Sequence, residues 1–261
     1  MEILKTNHIS IGYSHKKQQN IIATGINLSL QSGQLVALIG ENGIGKSTLL
    51  RTITGIQQPL SGTVLLDNKL ISDYNPLALA QKLSVVLTEK LPPNNLTVYE
   101  LVALGRQPYT NWIGKLTDED ISKIDSAINL TEIGHLSARK HYEISDGQLQ
   151  KVLIARAIAQ DTPLIILDEP TTHLDLRHKV SLLQLLKKLS RETRKCILFS
   201  THDIELALQI SDAMIMMAAG NIVQESPYEL IKSGALNQLF ADENITFDAE
   251  KSKFRFNFLN H

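Results

Sequence analysis

Cysteine is nearly absent: Cys196 is the one thiol in 261 residues, so no internal disulfide can form and the chain suits a reducing compartment. Set in the run Cys196-Ile-Leu-Phe199, it reads as a small core residue. Aromatics are sparse at 5%, and the single Trp112 sits in a polar stretch, which argues against a stacking platform for single-stranded nucleic acid. Neither sign of charge is in excess. With 26 Lys and Arg against 27 Asp and Glu, the formal net charge is -1, so there is no basic field and nucleic acid is not an expected partner. Long apolar runs are missing too. The longest, Ala213 to Ala219, falls far short of the roughly 20 residues that a membrane-crossing helix needs. The opening MEILKTNHISIGY has neither the charged start nor the apolar stretch of a secretory signal, so a cytoplasmic location is expected. No repeat, low-complexity tract or linker interrupts the chain, and residues 1–261 are expected to form a single packed domain.

What is present is ordinary globular composition, 43% hydrophobic and 20% charged, with short strand-like runs alternating with helical patterns. That alternation predicts an α/β fold around a mainly parallel sheet. Leu35-Val-Ala-Leu-Ile39 and Leu164-Ile-Ile-Leu167 are continuously apolar, as buried central strands are. Cys196–Phe199 and Ala213–Met216 read as further strands, and the alternating Ile26-Asn-Leu-Ser-Leu30 as a half-buried one. Val180, Leu182, Leu183, Leu185, Leu186 and Leu189 trace the apolar stripe of an amphipathic helix. From about 91 to 160 the chain reads as a helical subdomain. Thr97-Val-Tyr-Glu100 and Thr117-Asp-Glu-Asp120 each pair a hydroxyl cap with an acid three residues on. The segment from about 226 opens with the same cue, Ser226-Pro-Tyr-Glu229, and ends in two aromatic-flecked runs, Ile245–Phe247 and Phe254–Phe258, that suggest a terminal hairpin.

Directly after the strand Leu35–Ile39 stands Gly40-Glu-Asn42-Gly43-Ile-Gly45-Lys46-Ser47-Thr48, followed by a helical run from Leu49 to Thr54. This is a phosphate loop in its strand-loop-helix setting. Glycines let successive backbone N–H groups turn toward an anion, and the helix N-terminus adds its dipole. Lys46 has the charge to neutralise β- and γ-phosphates, and the Ser47 hydroxyl suits a Mg2+ position. A second apolar strand ends in Asp168-Glu169-Pro170. Asp168 is expected to hold Mg2+ through its water shell, and Glu169 to polarise the water that attacks the γ-phosphate.

Ile144-Ser145-Asp146-Gly147-Gln148 precedes a helical run, Leu149–Gln160, that ends shortly before these acids. Here the sequence resembles the ATP-binding subunits of ABC transporters, whose signature is L-S-G-G-Q at this distance from the acids. Ser200-Thr-His202-Asp203 resembles the family's switch histidine, Thr172-His-Leu-Asp175 its D-loop, and Tyr13 the aromatic that stacks on adenine. The resemblance covers about residues 3 to 225. It implies an antiparallel strand layer near the N-terminus of a P-loop NTPase core and ATP hydrolysis with Mg2+. It also implies a head-to-tail homodimer in which Ser145 and Gly147, with Gln148 beside them, bind the γ-phosphate held by a second copy. Separate permease subunits at the cytoplasmic face of the membrane, and indirectly a substrate-binding protein, are implied as partners. The run Glu100-Leu-Val-Ala-Leu-Gly-Arg-Gln-Pro-Tyr-Thr-Asn-Trp112 resembles the subgroup that imports iron-siderophores, haem or vitamin B12.

Taken alone, Ser145 and Asp175 are also good helix caps, Tyr13 an ordinary strand aromatic and His202 an ordinary loop histidine. Two departures from the family pattern stand out. Asp146 occupies a usual glycine position, while Gly147 is retained, so activity is expected to survive. The family's metal-touching Gln after the strand Leu83–Leu87 is replaced by Thr88-Glu89-Lys90, so Glu89 or Thr88 substitutes there. The alternatives to an importer of that subgroup are an ABC ATPase of another cargo class or a nucleotide-dependent dimerisation switch with weak hydrolysis. An ABC ATPase acting on nucleic acid would carry tandem cassettes or a long coiled-coil insert, and this chain has neither.

Overall fold

The computed structural model describes residues 1–15, 18–87, 95–172, 174–218, 220–240 and 244–256. Its frame is a sheet of six strands, the central ones continuous apolar runs. The six are β4 (Leu35–Gly40), β7 (Leu83–Val86), β8 (Leu164–Leu167), β9 (Cys196–Ser200) and β10 (Ala213–Ala218), which run parallel, and β11 (Asn221–Glu225), which closes one edge antiparallel. The order is β11-β10-β4-β9-β8-β7. Every residue of β4, β8 and β9 is buried, as parallel strands covered on both faces must be. Successive side chains leave a strand on opposite faces. Leu35, Ala37 and Ile39 therefore join one core, with the helices, and Val36 and Leu38 join the other, under an antiparallel layer.

That layer consists of β1 (Glu2–His15), β2 (Gln18–Ile26), β3 (Ser29–Gln31), β5 (Ser61–Leu66) and β6 (Lys69–Leu70), in the order β2-β1-β5-β6 with β3 also on β1. The expected single strand Ile26–Leu30 is in fact a break between two. Asn27 accepts from the His8 N–H at 2.9 Å and donates to the Gly25 carbonyl at 3.0 Å. The Thr6 hydroxyl takes up the backbone at the gap, donating to the Ile26 carbonyl and accepting from the Leu28 N–H. Short polar side chains compete with the ladder in this way, and an alternating pattern runs through such a break unmarked.

The helices are α1 (Lys46–Ile53), α2 (Pro76–Ala80), α3 (Val98–Ala103), α4 (Asp118–Leu130), α5 (Asp146–Ala159), α6 (Leu176–Thr193), α7 (Ile204–Ile210) and α8 (Pro227–Lys232). Both reciprocal caps expected in the helical insert are present, at Thr97 with Glu100 and at Thr117 with Asp120, and Ser226 caps α8 ahead of Pro227. α1 and α5 each begin three residues before the expected Leu49 and Leu149, because their loop residues already turn helically. The stripe expected between β8 and β9 is α6, which buries Leu182, Leu183, Leu186 and Leu189. At the end, β12 (Ile245–Asp248) and β13 (Lys253–Phe256) form the expected hairpin; Phe258 lies outside the described residues.

Asp120 does more than cap. Its carboxylate takes the Arg106 Nε–H at 2.9 Å in a fully enclosed pair, while Arg106 Nη1 donates to the Ala159 carbonyl at 2.8 Å and ties α4 to the end of α5. The neighbouring Gly105 lies so close to α5 that an added Cβ would stand 2.2 Å from the Arg156 carbonyl oxygen. Gly105→Ala is therefore expected to lower unfolding stability by about 1–3 kcal/mol through forced separation of packed elements. Thermal denaturation reads this directly, and an unchanged midpoint would show that the turn after α3 and α5 part without cost.

Candidate functional site

Strand β4 delivers the phosphate loop, and α1 leaves it. Gly40 passes so near β10 that a Cβ would meet the Met217 carbonyl at 2.8 Å; Gly45, the N-cap of α1, has φ 111° and leaves no room for a Cβ beside Ile22. Both positions need glycine for a close approach or a left-handed turn. Asn42 and Gly43 lie at the crest of the loop between them.

Lys46 is almost fully enclosed, 5% exposed. Its ammonium donates to the Gly40 and Glu41 carbonyls at 3.0 and 3.1 Å and faces His202 Nδ1 at 3.5 Å. Burial lowers its pKa, with Glu169 and Asp168 pulling the other way. The Ser47 hydroxyl donates to Asp168 Oδ2 at 3.1 Å, which sets a hydroxyl and a carboxylate side by side at the carboxyl ends of β4 and β8. Glu169 holds a left-handed backbone, φ 48°. Its Oε1 meets His202 Nε2 at 2.5 Å, and Oε2 accepts from the Thr172 hydroxyl at 3.1 Å. His202 thus faces the Lys46 ammonium with Nδ1 and the Glu169 carboxylate with Nε2. Beside this cluster lies an open cleft of about 440 Å3, walled by Gly40, Glu41, Asn42, His202, Leu239 and Phe240. Tyr13, on β1, is half exposed and its phenol shares a hydrogen bond with the Thr48 hydroxyl at 2.8 Å, which sets it at the start of α1.

The fold thus brings Lys46, Ser47, Asp168, Glu169 and His202 together from three separate stretches of chain. The signature residues are not bonded into that group. Ser145 caps α5 by accepting from the Gln148 N–H at 3.3 Å, and Gln148 Oε1 accepts from the Ser145 N–H at 3.0 Å. Gly147 lies against Leu174 and His178. Asp175 caps α6 through the His178 N–H, a bond that holds its carboxyl below the usual range. Both residues are therefore caps, whatever else they do. Glu89 and Thr88 lie outside the described residues.

The family model described as ABC transporter matches residues 23–172. The chain belongs to the ABC transporter family. It is an ATP-binding protein and an ATPase of that family. The iron(3+)-hydroxamate import ATP-binding protein of Bacillus subtilis is 36% identical over 255 residues, 97% of this chain and 93% of that relative. The ferric enterobactin transport ATP-binding protein of Escherichia coli is 33% identical, over 91% of this chain and 86% of the relative. A solved transporter assigned to the metal-chelate type, in an inward-facing conformation, superposes with TM-score 0.80 at 27% identity, covering 99% of this chain and 97% of that one. A dimeric bacterial ABC transporter cassette superposes with TM-score 0.73 at 29% identity, covering 86% and 99%; the same figures hold for a post-hydrolysis state of a cassette bound to ADP and Pi.

In this ATPase one further side chain enters the group. Ser200, the last residue of β9, is fully buried. Its hydroxyl donates to Asp168 Oδ1 at 2.6 Å and accepts the Glu169 N–H at 2.8 Å. In the sequence Ser200 stands only as part of the histidine motif. The available signal was a hydroxyl closing an otherwise wholly apolar strand, a position where a polar group needs a partner. Thr172, which donates to Glu169, likewise stands in the sequence only as part of the run that resembles the D-loop.

Proposed function

We propose that this chain is the ATP-hydrolysing subunit of an import system for a metal-chelate cargo of the iron-siderophore, haem or cobalamin class. It would act as one ATPase domain, residues 1–261, in a head-to-tail homodimer beneath separate permease subunits at the cytoplasmic face of the membrane, with a substrate-binding protein feeding the permease. The observation that carries the reading is the convergence of Lys46, Ser47, Asp168, Glu169 and His202 at the mouth of the phosphate loop. The names of relatives, iron(3+)-hydroxamate and ferric enterobactin among them, support the cargo class. Among the described residues no helix is long and apolar enough to cross a membrane, in keeping with a permease on other chains.

On this reading ATP lies with its phosphates on the N–H groups of residues 40–48 and its adenine against Tyr13. Lys46 exchanges its loop carbonyls for β- and γ-phosphate oxygens. Mg2+ suits the donor set: the Ser47 hydroxyl and the Asp168 carboxylate are hard oxygens set side by side, and such ions take one or two protein ligands plus phosphates. It would neutralise phosphate charge there. Glu169 accepts a hydrogen bond from the attacking water. The water oxygen forms its bond to the γ-phosphorus as the bond to the β-bridging oxygen breaks, ADP keeps the electron pair, and the proton passes to Glu169. His202, through Nε2, aims the Glu169 carboxylate. Ser145, Gly147 and Gln148 serve the second protomer's γ-phosphate from the N-terminus of α5, with Asp175 beside them. Glu89 takes the metal-touching place of the family's Gln.

The test is reconstitution with the co-purified permease. A metal chelate presented with its binding protein is expected to raise ATP turnover, and Glu89→Ala to retain turnover while losing transport. Turnover indifferent to every metal chelate would reject the cargo class, and intact transport in the alanine variant would reject the role of Glu89.

A further inference from the structure

We infer that Ser200 is a positioning residue that holds the metal-binding and water-activating acids in fixed relation, an inference that rests on the roles proposed for Asp168 and Glu169. A serine hydroxyl has one proton to give and two lone pairs to accept with. Here the proton goes to Asp168 Oδ1 at 2.6 Å, and one lone pair takes the Glu169 N–H at 2.8 Å. The Asp168 carboxylate and the Glu169 backbone are thus joined through one buried atom on the neighbouring strand. The consequences differ for the two acids.

Asp168 has two oxygens and two partners. Ser200 occupies Oδ1 and Ser47 meets Oδ2, so the carboxylate cannot turn about its last bond without breaking the Ser200 contact. Oδ2 stays turned toward the Ser47 hydroxyl, where the proposed Mg2+ site is. For Glu169 the constraint falls on the backbone. Its φ of 48° is one that side-chain-bearing residues seldom adopt, and the N–H that this conformation presents is taken up by Ser200. Strand β9 supplies the rigidity: it lies between β4 and β8, wholly buried, with Ser200 at its carboxyl end two residues before His202. One strand end therefore orients the metal acid, the base and the histidine together. Partners that orient a metal-binding side chain commonly carry 10- to 100-fold of metal affinity or activity.

The experiment compares Ser200→Ala, Ser200→Thr and Ser200→Val with the wild type, using a fluorescent ATP analogue titrated in EDTA and in Mg2+, with kcat and KM measured separately. Apo thermal midpoints accompany each protein. Expected for Ser200→Ala is unchanged affinity in EDTA, a loss of about 10-fold or more in the affinity gained on adding Mg2+, and a fall in kcat larger than any rise in KM. Threonine keeps the hydroxyl and is expected to restore the Mg2+ gain, while valine, of the same shape without it, is not. A Ser200→Ala protein with the wild-type Mg2+ gain and kcat would overturn the inference, as would equal behaviour of threonine and valine. Asp168→Asn is the control for the underlying roles. If it too keeps the full Mg2+ gain, the assignment of Asp168 has failed and the inference falls with it; if it loses the gain while Ser200→Ala does not, only the inference fails.

Discussion

Lys46→Ala is expected to lose nucleotide binding, by about 30-fold or more, whereas Glu169→Gln binds ATP like the wild type and turns it over about 100- to 10,000-fold more slowly. The two residues lie close together, bridged by His202, yet act at different points of the reaction. Lys46 sits among loop carbonyls where the proposed reading sets the phosphates, so its charge is realised as soon as ATP binds, and an enclosed phosphate left without it costs roughly 2–5 kcal/mol. Glu169 has no such ground-state debt. Its carboxylate is held by His202 and Thr172, and an amide keeps that shape while losing the basicity that the attacking water needs. Only an interaction stronger in the transition state than in the bound state changes kcat. Equilibrium binding of a fluorescent ATP analogue and single-turnover hydrolysis separate the effects. Wild-type turnover by Glu169→Gln would remove Glu169 as the base.

Glu169→Gln with ATP is expected to accumulate as a dimer, and Ser145→Arg in that background to remain monomeric while still binding ATP. Within one chain Ser145 is not bonded to the Lys46 group; it caps α5 and is exposed at the helix end. On the proposed reading the phosphate it serves belongs to a second copy. A bulky arginine at that position obstructs the approach, while the phosphate loop of the same chain is left intact. The loss of the cap costs about 1 kcal/mol of local stability, small enough to leave the monomer folded. Light scattering or sedimentation with and without ATP reads the difference. A dimer indifferent to both ATP and the arginine would reject the shared site.

What the sequence by itself determined is everything carried by neighbouring residues. The phosphate loop between Gly40 and Thr48, the acids closing Leu164–Leu167, the caps at Thr97, Thr117 and Ser226 and the stripe of α6 each depend on hydrogen bonds or apolar spacing within about one or two turns of chain, and all are found in the structure. Individual residues of the candidate site were legible for the same reason, since each stands at the end of a readable strand or the start of a readable helix. Their mutual bonds were not. That His202 faces Lys46 with one nitrogen and Glu169 with the other follows from β9 lying between β4 and β8, an order made by crossover connections that leave no mark on local periodicity. Ser200 and Arg106 make the same point from inside the core. A serine ending an apolar strand and an arginine in a helical insert look unremarkable in one dimension. Their polar atoms acquire partners 31 to 32 residues away for Ser200, and 14 and 53 residues away for Arg106. Only the tertiary structure decided those pairings, because a buried polar group is satisfied by whatever the packing of distant elements sets beside it.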